Sequence, residues 1–410
     1  MRLRRWTIAI GAATLMGVAG GIPRAGAQIP VGGWSSPNVE WLGNVTLSGT
    51  TGAVRGLKHG RYFYAEGFEA IEIFDISKPT APQRVSRIPL QPHATLPGPV
   101  GMPNIPLDGI DTNGEVLITS ASGTFGSQAD ALLVYDVRDK SAPRLLARVP
   151  GAGYYFTCVA RCSWAYAASG EIIDLRDPSR PQIVDFWDRG LHFTLSPGDQ
   201  NGSYSLTDIT PDRLVTGSTP MYLLDVSRPT RPRVLAESDG SPHSRGWVTW
   251  PRFSANGIAL TVSAPFMTAR CELQDQFAGT SLDSALKTWD VSHWSRTGVI
   301  TGLSEYRLQN GTYVDGDPAF SGAIPNAWAC GTTGVDAHPR FLDGGLAVMS
   351  ASSHGVKFLE VSRSGAIEEV GWFLPYLNDT FGAYWITDEI VYTVDWPRGI
   401  DILRFKASQQ

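Results

Sequence analysis

Apolar and polar residues alternate over short runs along the chain, and turn residues such as Gly, Pro and Ser separate these runs. The run "NVEWLGNVTLSG", Asn38 to Gly49, is one example, and its alternation is typical of a single β-strand. It precedes every strand with which it could form a hairpin, so its backbone donors and acceptors need a distant partner. Because no stretch has strong helical periodicity, the pattern predicts an all-β chain.

A strand, a turn and a second strand recur six times with similar residues. In each turn Asp, Glu or Ser can bond to backbone N–H groups, and Pro keeps the following strand extended. We therefore interpret the repeated carboxylates as structural. The six segments are "IEIFDISKPTAPQRV" from Ile71, "LLVYDVRDKSAPRLL" from Leu132, "EIIDLRDPSRPQIV" from Glu171, "MYLLDVSRPTRPRVL" from Met221, "LKTWDVSHWSRTGVI" from Leu286 and "VKFLEVSRSGAIEEV" from Val356.

Another strand and a short apolar segment precede each repeated segment. Each unit thus has four strands over roughly 40 to 70 residues, and four-stranded sheets repeated radially form a β-propeller. Seven second strands predict a seven-bladed β-propeller in a single domain over residues 28–410. The second strands are "RYFYAEG", "EVLITSAS", "SWAYAAS", "DRLVTGS", "GIALTVSA", "GLAVMSAS" and "EIVYTVD".

The seventh unit, "EIVYTVDWPRGIDILRFKASQQ", ends after its third strand. The N-terminal run "NVEWLGNVTL" is similar to "AIEEVGWFLP", Ala366 to Pro375, which is a fourth strand. We therefore predict that the N-terminal strand completes the last blade and closes the ring.

The repeated pattern resembles the LVIVD repeat of exported β-propellers over most of the range from Asn38 to Lys406. It departs from that repeat at Trp294, where the first proline is lost, and at Gly365. The resemblance implies a propeller fold and no single activity. In architecture the chain also resembles the secreted fungal propellers that guide hetero-Diels–Alder additions in tropolone–sesquiterpene pathways, and this likeness transfers no catalytic residue.

The first 27 residues are typical of an export signal. Arg2, Arg4 and Arg5 precede a short apolar run, and Ala25 to Ala27 offers a small-residue cleavage site. The chain is therefore predicted to be secreted, in the secretory pathway or periplasmic. Later apolar runs are too short for a membrane helix. A net charge of -5 without a basic block argues against a nucleic-acid partner.

Four cysteines in an exported chain predict two disulfides. Among three possible pairings we favour Cys158 with Cys162 and Cys271 with Cys330. Zinc is disfavoured because the C-x3-C spacing has no Cys or His beside it. Four sequons are glycan sites if the source is eukaryotic and have no meaning if it is bacterial. They begin at Asn44, Asn201, Asn310 and Asn378.

Two long insertions interrupt the repeat, at about residues 263–286 and 303–331. Unpatterned loops of this length are usually functional or disordered, and a bridge from Cys271 to Cys330 would join them. We interpret the insertions as a lid over a pocket, with the Pro-rich segment "QPHATLPGPVGMPNIPLDG" on the opposite rim.

Two classes of loop converge on one face of a propeller, those from strand four to the next strand one and those from strand two to strand three. This face is the predicted functional face. Aromatic walls with a few polar groups are typical of a small-molecule pocket, whereas the alternative is that the aromatic residues pack between blades. The residues assigned to the pocket are Tyr154, Tyr155, Trp247, Trp328, Phe68, Phe125, Phe266 and Trp396, with Asp336 and Tyr384 on inner strands.

The same sorting divides the histidines between the two faces. His59, His293 and His338 fall on the opposite face, where we interpret them as structural or solvated. The functional face receives His93, His192, His243 and His354, together with Arg55 at the channel mouth and Arg398.

Known catalytic and cofactor motifs are missing from the sequence. The inner strands carry no ring of histidines, so no metal or cofactor is predicted, and a smaller oxygen-rich site from Asp111, Asp208 and Asp336 stays open. There is no G-x-S-x-G motif, dinucleotide loop or P-loop.

The sequence favours a cofactor-independent enzyme of cyclase or pericyclase type that binds a small, partly apolar molecule in the channel. His243 or His354 would move a proton, and Arg55 or Arg398 would bind a carbonyl or phenolate oxygen. The alternative is a non-enzymatic binding propeller at the cell surface or in the periplasm. The oligomeric state and the identity of the ligand are not predicted.

Overall fold

The computed structural model describes seventeen stretches of the chain. They are residues 32–48, 53–67, 69–90, 109–120, 131–153, 156–167, 169–188, 206–210, 213–216, 220–239, 248–253, 257–263, 285–308, 332–351, 354–376, 380–395 and 398–407. The predicted export signal and most of both predicted lid insertions lie outside these ranges.

Within these ranges the chain forms short β-strands and one helical turn, α1 (Trp294–Thr297). The strands are β1 (Gly33–Ser35), β2 (Val39–Val45), β3 (Ala53–His59), β4 (Tyr62–Gly67), β5 (Ala70–Asp75), β6 (Gln83–Pro89), β7 (Asp111–Thr112), β8 (Val116–Ser120), β9 (Ala131–Asp136), β10 (Arg144–Pro150), β11 (Phe156–Val159), β12 (Trp164–Ala167), β13 (Glu171–Asp174), β14 (Gln182–Phe186), β15 (Leu206–Thr210), β16 (Arg213–Thr216), β17 (Tyr222–Asp225), β18 (Arg233–Ser238), β19 (Val248–Phe253), β20 (Ile258–Ser263), β21 (Ala285–Asp290), β22 (Val299–Tyr306), β23 (Thr332–Ala337), β24 (Gly345–Ala351), β25 (Gly355–Val361), β26 (Ile367–Pro375), β27 (Thr380–Trp385), β28 (Ile390–Asp395) and β29 (Gly399–Phe405).

The strands form a propeller-like, all-β arrangement, as predicted. Successive strands pair antiparallel in runs of four, such as β3 to β6 and β7 to β10. The prediction of seven separate blades is not matched, because the described strands form six hydrogen-bonded sheets. The difference arises where Glu237 and Ser238 of β18 pair in parallel with Val299 and Ile300 of β22. This pairing joins β15–β18 and β19–β22 into one eight-stranded sheet.

The N-terminal strand pairs with the last strand of the chain, which confirms that prediction. Strand β2 runs antiparallel to β29 from Val39 opposite Phe405 to Val45 opposite Ile400. The sequence did not predict a second pairing. Strand β1 pairs with β26 and so adds a fifth strand to the sheet that contains β26. The first two strands therefore tie the last two sheets together.

The turn between β1 and β2 is held by side-chain hydrogen bonds to β26. Asn38 Nδ2 donates to the Val370 carbonyl at 2.8 Å, and Ser36 Oγ accepts from the Trp372 N–H at 3.0 Å. These bonds fix the angle at which the chain passes from one sheet to the next.

The fourth strand of each run, with β2 as the fourth strand of the last sheet, contains one bulge in its pairing with the third strand. A bulge bends and twists a strand, and it makes the exposed edge a poor template for another chain. The extra residue is apolar in every described outer strand. These residues are Leu42, Val85, Leu146, Val184, Leu235, Leu303 and Val370.

The core lies between neighbouring sheets. The third strand β9 is buried along its full length, whereas most positions of the outer strand β10 are exposed or half-buried. At one interface the rings of Phe358 and Phe405 stack with centroids 4.5 Å apart, next to Trp385.

The repeated acidic residues are turn residues, which confirms their structural interpretation. Asp75 Oδ1 accepts from the Ser77 N–H at 2.8 Å, and Asp225 Oδ1 accepts from the Ser227 N–H at 3.0 Å. A tyrosine of the neighbouring sheet also contacts such a turn, because the Tyr392 hydroxyl donates to the Pro79 carbonyl at 2.6 Å. The turns therefore connect sheets as well as strands.

The predicted disulfide between Cys158 and Cys162 is present, and it closes the hairpin of β11 and β12. Ala160 and Arg161 in this turn have positive φ angles of 49° and 56°. The other predicted pair, Cys271 and Cys330, lies outside the described residues. In the described ranges, no helix is long and apolar enough to cross a membrane.

Buried charges occupy the third residue of several third strands. In β25 this residue is Lys357, which is 0 % exposed. Its Nζ lies 3.7 Å from Glu369 Oε2, and the Tyr306 hydroxyl of β22 donates to the same carboxylate oxygen. Burial lowers the pKa of Lys357 to about 8, and the nearby Glu369 only partly opposes this effect.

The hydrogen bonds of the turn between β1 and β2 should stabilise the folded ring more than nearby ion pairs at the surface do. We expect Asn38→Ala to lower the free energy of unfolding by about 1–2 kcal/mol, because it leaves the Val370 carbonyl without its donor. Glu40→Ala, which removes only exposed ion pairs with Arg404 and Lys406, should cost less than about 1 kcal/mol. Urea unfolding curves would measure both, and equal losses would contradict this role of Asn38.

Lys357 should make stability depend on pH in the alkaline range. The folded protein releases this proton near pH 8, whereas the ordinary pKa of lysine is 10.5. Between these values the unfolded chain binds more protons, so the free energy of unfolding should rise with pH. Lys357→Met should remove this increase when unfolding is compared at pH 7.5 and 9.5. A variant with the wild-type pH slope would contradict the assignment.

Candidate functional site

The strand ends that flank the two predicted loop classes lie at one end of the sheets, which we call the upper end. The first strands begin there, and the second strands end there, as Thr380 and Asp395 show by pairing across β27 and β28. First strands of consecutive runs lie beside one another around the ring, for example β23 beside β27 and β27 beside β3.

Polar side chains occupy the upper end of four consecutive runs of strands, and we call this set the polar arc. Its members are mostly fully buried, although polar residues at strand ends are usually exposed. Arg55 is the partly exposed member. The polar arc consists of Thr333 and Ser350, Thr380 and Asp395, Arg55 and Glu66, and Thr119 and Ser120.

Hydrogen bonds of the polar arc cross from one sheet to the next. Thr119 Oγ1 donates to Glu66 Oε1 at 3.1 Å. Thr333 Oγ1 lies 2.7 Å from the Thr380 carbonyl oxygen, and Thr380 Oγ1 donates to Asp395 Oδ2 at 3.0 Å. The arc therefore contains two hydrogen-bonded groups, and each of them holds one carboxylate in position.

The polar arc and its neighbour His354 provide groups for acid–base chemistry and for oxygen recognition. Glu66 and Asp395 are 0 % exposed, and His354, just before β25, is 1 % exposed. Arg55 lies opposite Glu66 across β3 and β4. The structure thus brings two predicted residues, Arg55 and His354, to the same end as two carboxylates that sequence reasoning missed.

A sequence signal for the missed carboxylates does exist. The second strand "YAEG" has an acidic residue next to its last position, and "YTVD" ends on one, in each case where the alternation places a side chain that faces the neighbouring sheet. An acidic residue at an inward position of a strand is unusual enough to mark a candidate site.

Arg398, which was predicted to bind a substrate oxygen, forms an ion pair inside the last sheet. Its Nε and terminal nitrogen lie 2.8 Å from the two oxygens of buried Asp401. This paired hydrogen bonding raises the pKa of Arg398. Asp401 also accepts a 2.8 Å bond from Trp41 Nε1 of the N-terminal strand. Arg398 thereby supports ring closure, and its catalytic role stays a prediction.

Tyr384 and Asp336, predicted to bind substrate, connect neighbouring first strands. The Tyr384 hydroxyl accepts from the Gly56 N–H at 2.9 Å, and Asp336 Oδ2 accepts from the Trp385 N–H at 2.9 Å. Asp111 makes the same kind of bond, from the Cys158 N–H at 2.7 Å. These contacts give the three side chains a structural role, whatever else they bind.

The oxygen-rich metal site considered from Asp111, Asp208 and Asp336 is not tested, because the side chain of Asp208 lies outside the described part of the structure. In the described part of the chain, no group of three or more His, Cys, Asp or Glu residues could hold a metal ion. At the opposite end, His338 fits its structural interpretation, since its Nε2 lies 3.0 Å from the Asp388 carbonyl oxygen.

Asn44, a predicted glycan site, is exposed on β2, but its amide is engaged. Asn44 Nδ2 donates to the Arg398 carbonyl at 3.1 Å and to Asp401 Oδ1 at 3.2 Å. A glycan would replace one of the two hydrogens on this nitrogen, so modification would remove one bond to β29.

The remaining predicted site residues lie outside the described residues, and their roles stay predictions. They are Phe68, His93, Phe125, Tyr154, Tyr155, His192, Asn201, His243, Trp247, Phe266, Asn310, Trp328, Asn378 and Trp396.

Comparisons with known proteins do not add a function. No protein-family model matches the chain, and no curated protein matches it. Among solved structures, the computationally designed Ika8 protein aligns over 88 % of this chain and 100 % of its own, with 12 % identity and a TM-score of 0.45.

The ion pair of Arg398 with Asp401 should contribute to stability. We expect Arg398→Gln to lower the free energy of unfolding by about 3–5 kcal/mol, because it leaves a buried carboxylate without its cation. Arg340→Gln is a matched control, since its partner Asp388 is exposed, and it should cost less than about 1 kcal/mol. Chemical denaturation would measure the difference. Wild-type stability of Arg398→Gln would show that the arginine serves another purpose.

Proposed function

We propose that the protein binds a small, partly apolar molecule at the upper end of the ring and acts on it as a cofactor-independent enzyme of cyclase type. The observation that supports this proposal is the polar arc with His354. Two fully buried carboxylates, Glu66 and Asp395, lie at the upper end of the sheets, on second strands that precede predicted pocket loops.

Buried carboxylates are costly, and apolar residues of similar size would often give a more stable interface. A ring that served only as a scaffold could fill this end with the Val, Ile and Leu side chains found elsewhere between its sheets. Buried titratable groups concentrated at one end of a fold favour a binding or catalytic site over a scaffold. This argument favours the enzyme over the non-enzymatic alternative.

In this proposal, each described group has a separate task. His354 moves a proton, and Asp395 or Glu66 accepts or supplies one. Arg55 holds a carbonyl or phenolate oxygen of the substrate, where its fixed positive charge stabilises developing negative charge. The strands hold these groups in place, so the reacting atoms meet in a productive geometry.

We also infer that the ring consists of seven blades, with the eight-stranded sheet counted as two. The runs β15–β18 and β19–β22 share only the short pairing of β18 with β22. Each run has its own bulged outer strand, and first strands β15 and β19 lie side by side. The LVIVD-type repeat, export and glycosylation remain proposals from the sequence.

Ligand binding at the upper end should raise the melting temperature of the protein. We expect at least one compound of an aromatic and terpenoid library to do so for the wild type, and Glu66→Gln or His354→Gln to reduce that increase. Leu342→Ser is the control, because Leu342 is 57 % exposed in the β23–β24 turn at the opposite end. Differential scanning fluorimetry would measure all four proteins.

Two results would contradict the proposal. One is that no compound in the library stabilises the wild type. The other is that Leu342→Ser reduces the response as much as Glu66→Gln does, which would place binding away from the upper end.

A further inference from the structure

Exposed apolar residues recur at one position of the outer strands. This position lies opposite the residue that precedes the acid of the turn between third and fourth strands. In three consecutive runs it holds Leu145, Ile183 and Val234, which are 56 %, 37 % and 44 % exposed. Apolar residues scattered singly over a surface are ordinary, whereas recurrence at equal positions of neighbouring sheets indicates an interaction surface.

Two other runs use the same position for polar contacts. In β6 it is Arg84, whose Nε lies 2.7 Å from Glu72 Oε2 and whose terminal nitrogen donates to the Thr46 carbonyl. In β26 it is Glu369, which accepts a hydrogen bond from a side chain of β22. The apolar side chains of β10, β14 and β18 cannot form such bonds, so the repeat by itself does not explain their exposure.

Exposed arginines lie near these apolar residues, at the end of the sheets opposite to the upper end. The turn between β17 and β18 carries Arg228 and Arg231, and the turn between β11 and β12 carries Arg161. All three are exposed, and none forms an ion pair with a described residue. The two turns belong to neighbouring sheets in contact, because the Tyr166 hydroxyl of β12 donates to the Pro229 carbonyl.

The described acids of the neighbouring turns already have cationic partners. Asp136 has two, Arg138 and Arg144. The acids with one arginine each are Asp174, Asp177 and Asp225. These acids therefore do not neutralise the three unpaired arginines. The whole chain has a net charge of -5, so the fold gathers a basic surface that no continuous stretch of the sequence contains.

We infer that this side of the ring docks on an anionic lipid surface. The docking surface, which we call the basic rim, consists of Leu145, Ile183, Val234, Arg161, Arg228 and Arg231. Lipid phosphates supply the negative charge that the unpaired arginines lack, and apolar side chains beside them can enter the interfacial region. This inference is independent of the proposed function, because it concerns the opposite end of the sheets.

Charge and shape favour a lipid surface over a second copy of the chain. Two copies that met through the basic rim would bring their unpaired arginines together, and like charges across an interface are costly. The turns of consecutive runs lie at the same end of the sheets, so a planar surface can contact several of them at once.

Vesicle binding tests this inference with the whole protein. We expect the protein to sediment with vesicles of phosphatidylcholine and phosphatidylglycerol in equal parts, and to stay in the supernatant with phosphatidylcholine vesicles. High salt should weaken the binding, because it screens charges at an exposed surface. Equal binding to both kinds of vesicle, or binding to neither, would overturn the inference.

The contribution of charge is measured with two matched double variants. Arg228→Gln with Arg231→Gln should weaken binding to the anionic vesicles at least about tenfold, since each cation near such a surface adds about fivefold. The control is Arg340→Gln with Arg363→Gln, which removes two exposed arginines from the turns of run β23–β26. The control should bind like the wild type, and an equal loss in both double variants would overturn the inference.

The apolar contribution is measured with Leu145→Ser, Ile183→Ser and Val234→Ser combined. This triple variant should also bind at least about tenfold more weakly, because it removes the apolar area that enters the lipid. Leu342→Ser is its control, since Leu342 is equally exposed outside the basic rim, and it should bind like the wild type. If soluble polyglutamate binds the wild type more tightly than the vesicles do, the basic rim takes an acidic protein segment and the lipid assignment is overturned.

Discussion

The pairing of β2 with β29 is the constraint on which the ring depends. It joins the two ends of the chain, so every sheet between them is held at both sides. At its centre is the Asp401 carboxylate, which binds Arg398 within its own sheet and Trp41 of the N-terminal strand. Strand β1 extends this closure to β26. A closed ring has few free sheet edges, and the bulges make the remaining outer edges poor partners for other chains.

In the closed ring, the upper and lower ends of the sheets differ in how their polar groups are used. At the opposite end of the sheets, which we call the lower end, hairpins of neighbouring runs are joined by hydrogen bonds to backbone carbonyls. For example, Lys58 Nζ donates to the Ile386 carbonyl at 2.7 Å. Hydrogen bonds there serve mainly to hold the sheets together. At the upper end, carboxylates and hydroxyls are buried in the polar arc, and Thr393 has a hydroxyl without a partner. This asymmetry is the physical reason why we propose that function lies at the upper end.

The sequence predicted the repeat, the strand order and the closure correctly because these depend on local periodicity and on a comparison between segments. It also identified the turn acids and the Cys158–Cys162 bridge, where partners are near in sequence. It did not foresee the parallel pairing of β18 with β22, because contact between outer strands depends on how closely two sheets approach. Arg398 was assigned to the pocket by its loop, whereas the structure pairs it with Asp401, three residues further along the chain, inside the last sheet.

The sequence by itself determined that the chain is a repeated all-β structure in which the N-terminal strand β2 completes the last sheet. Alternation of period two and recurring turn residues encode those features locally. Only the tertiary structure decided which polar residues share an interface. Glu66 and Thr119 are 53 residues apart, and their hydrogen bond exists because two sheets pack face to face. Side chains at equal positions of the repeat therefore have different roles, since each is defined by the neighbouring sheet that it meets.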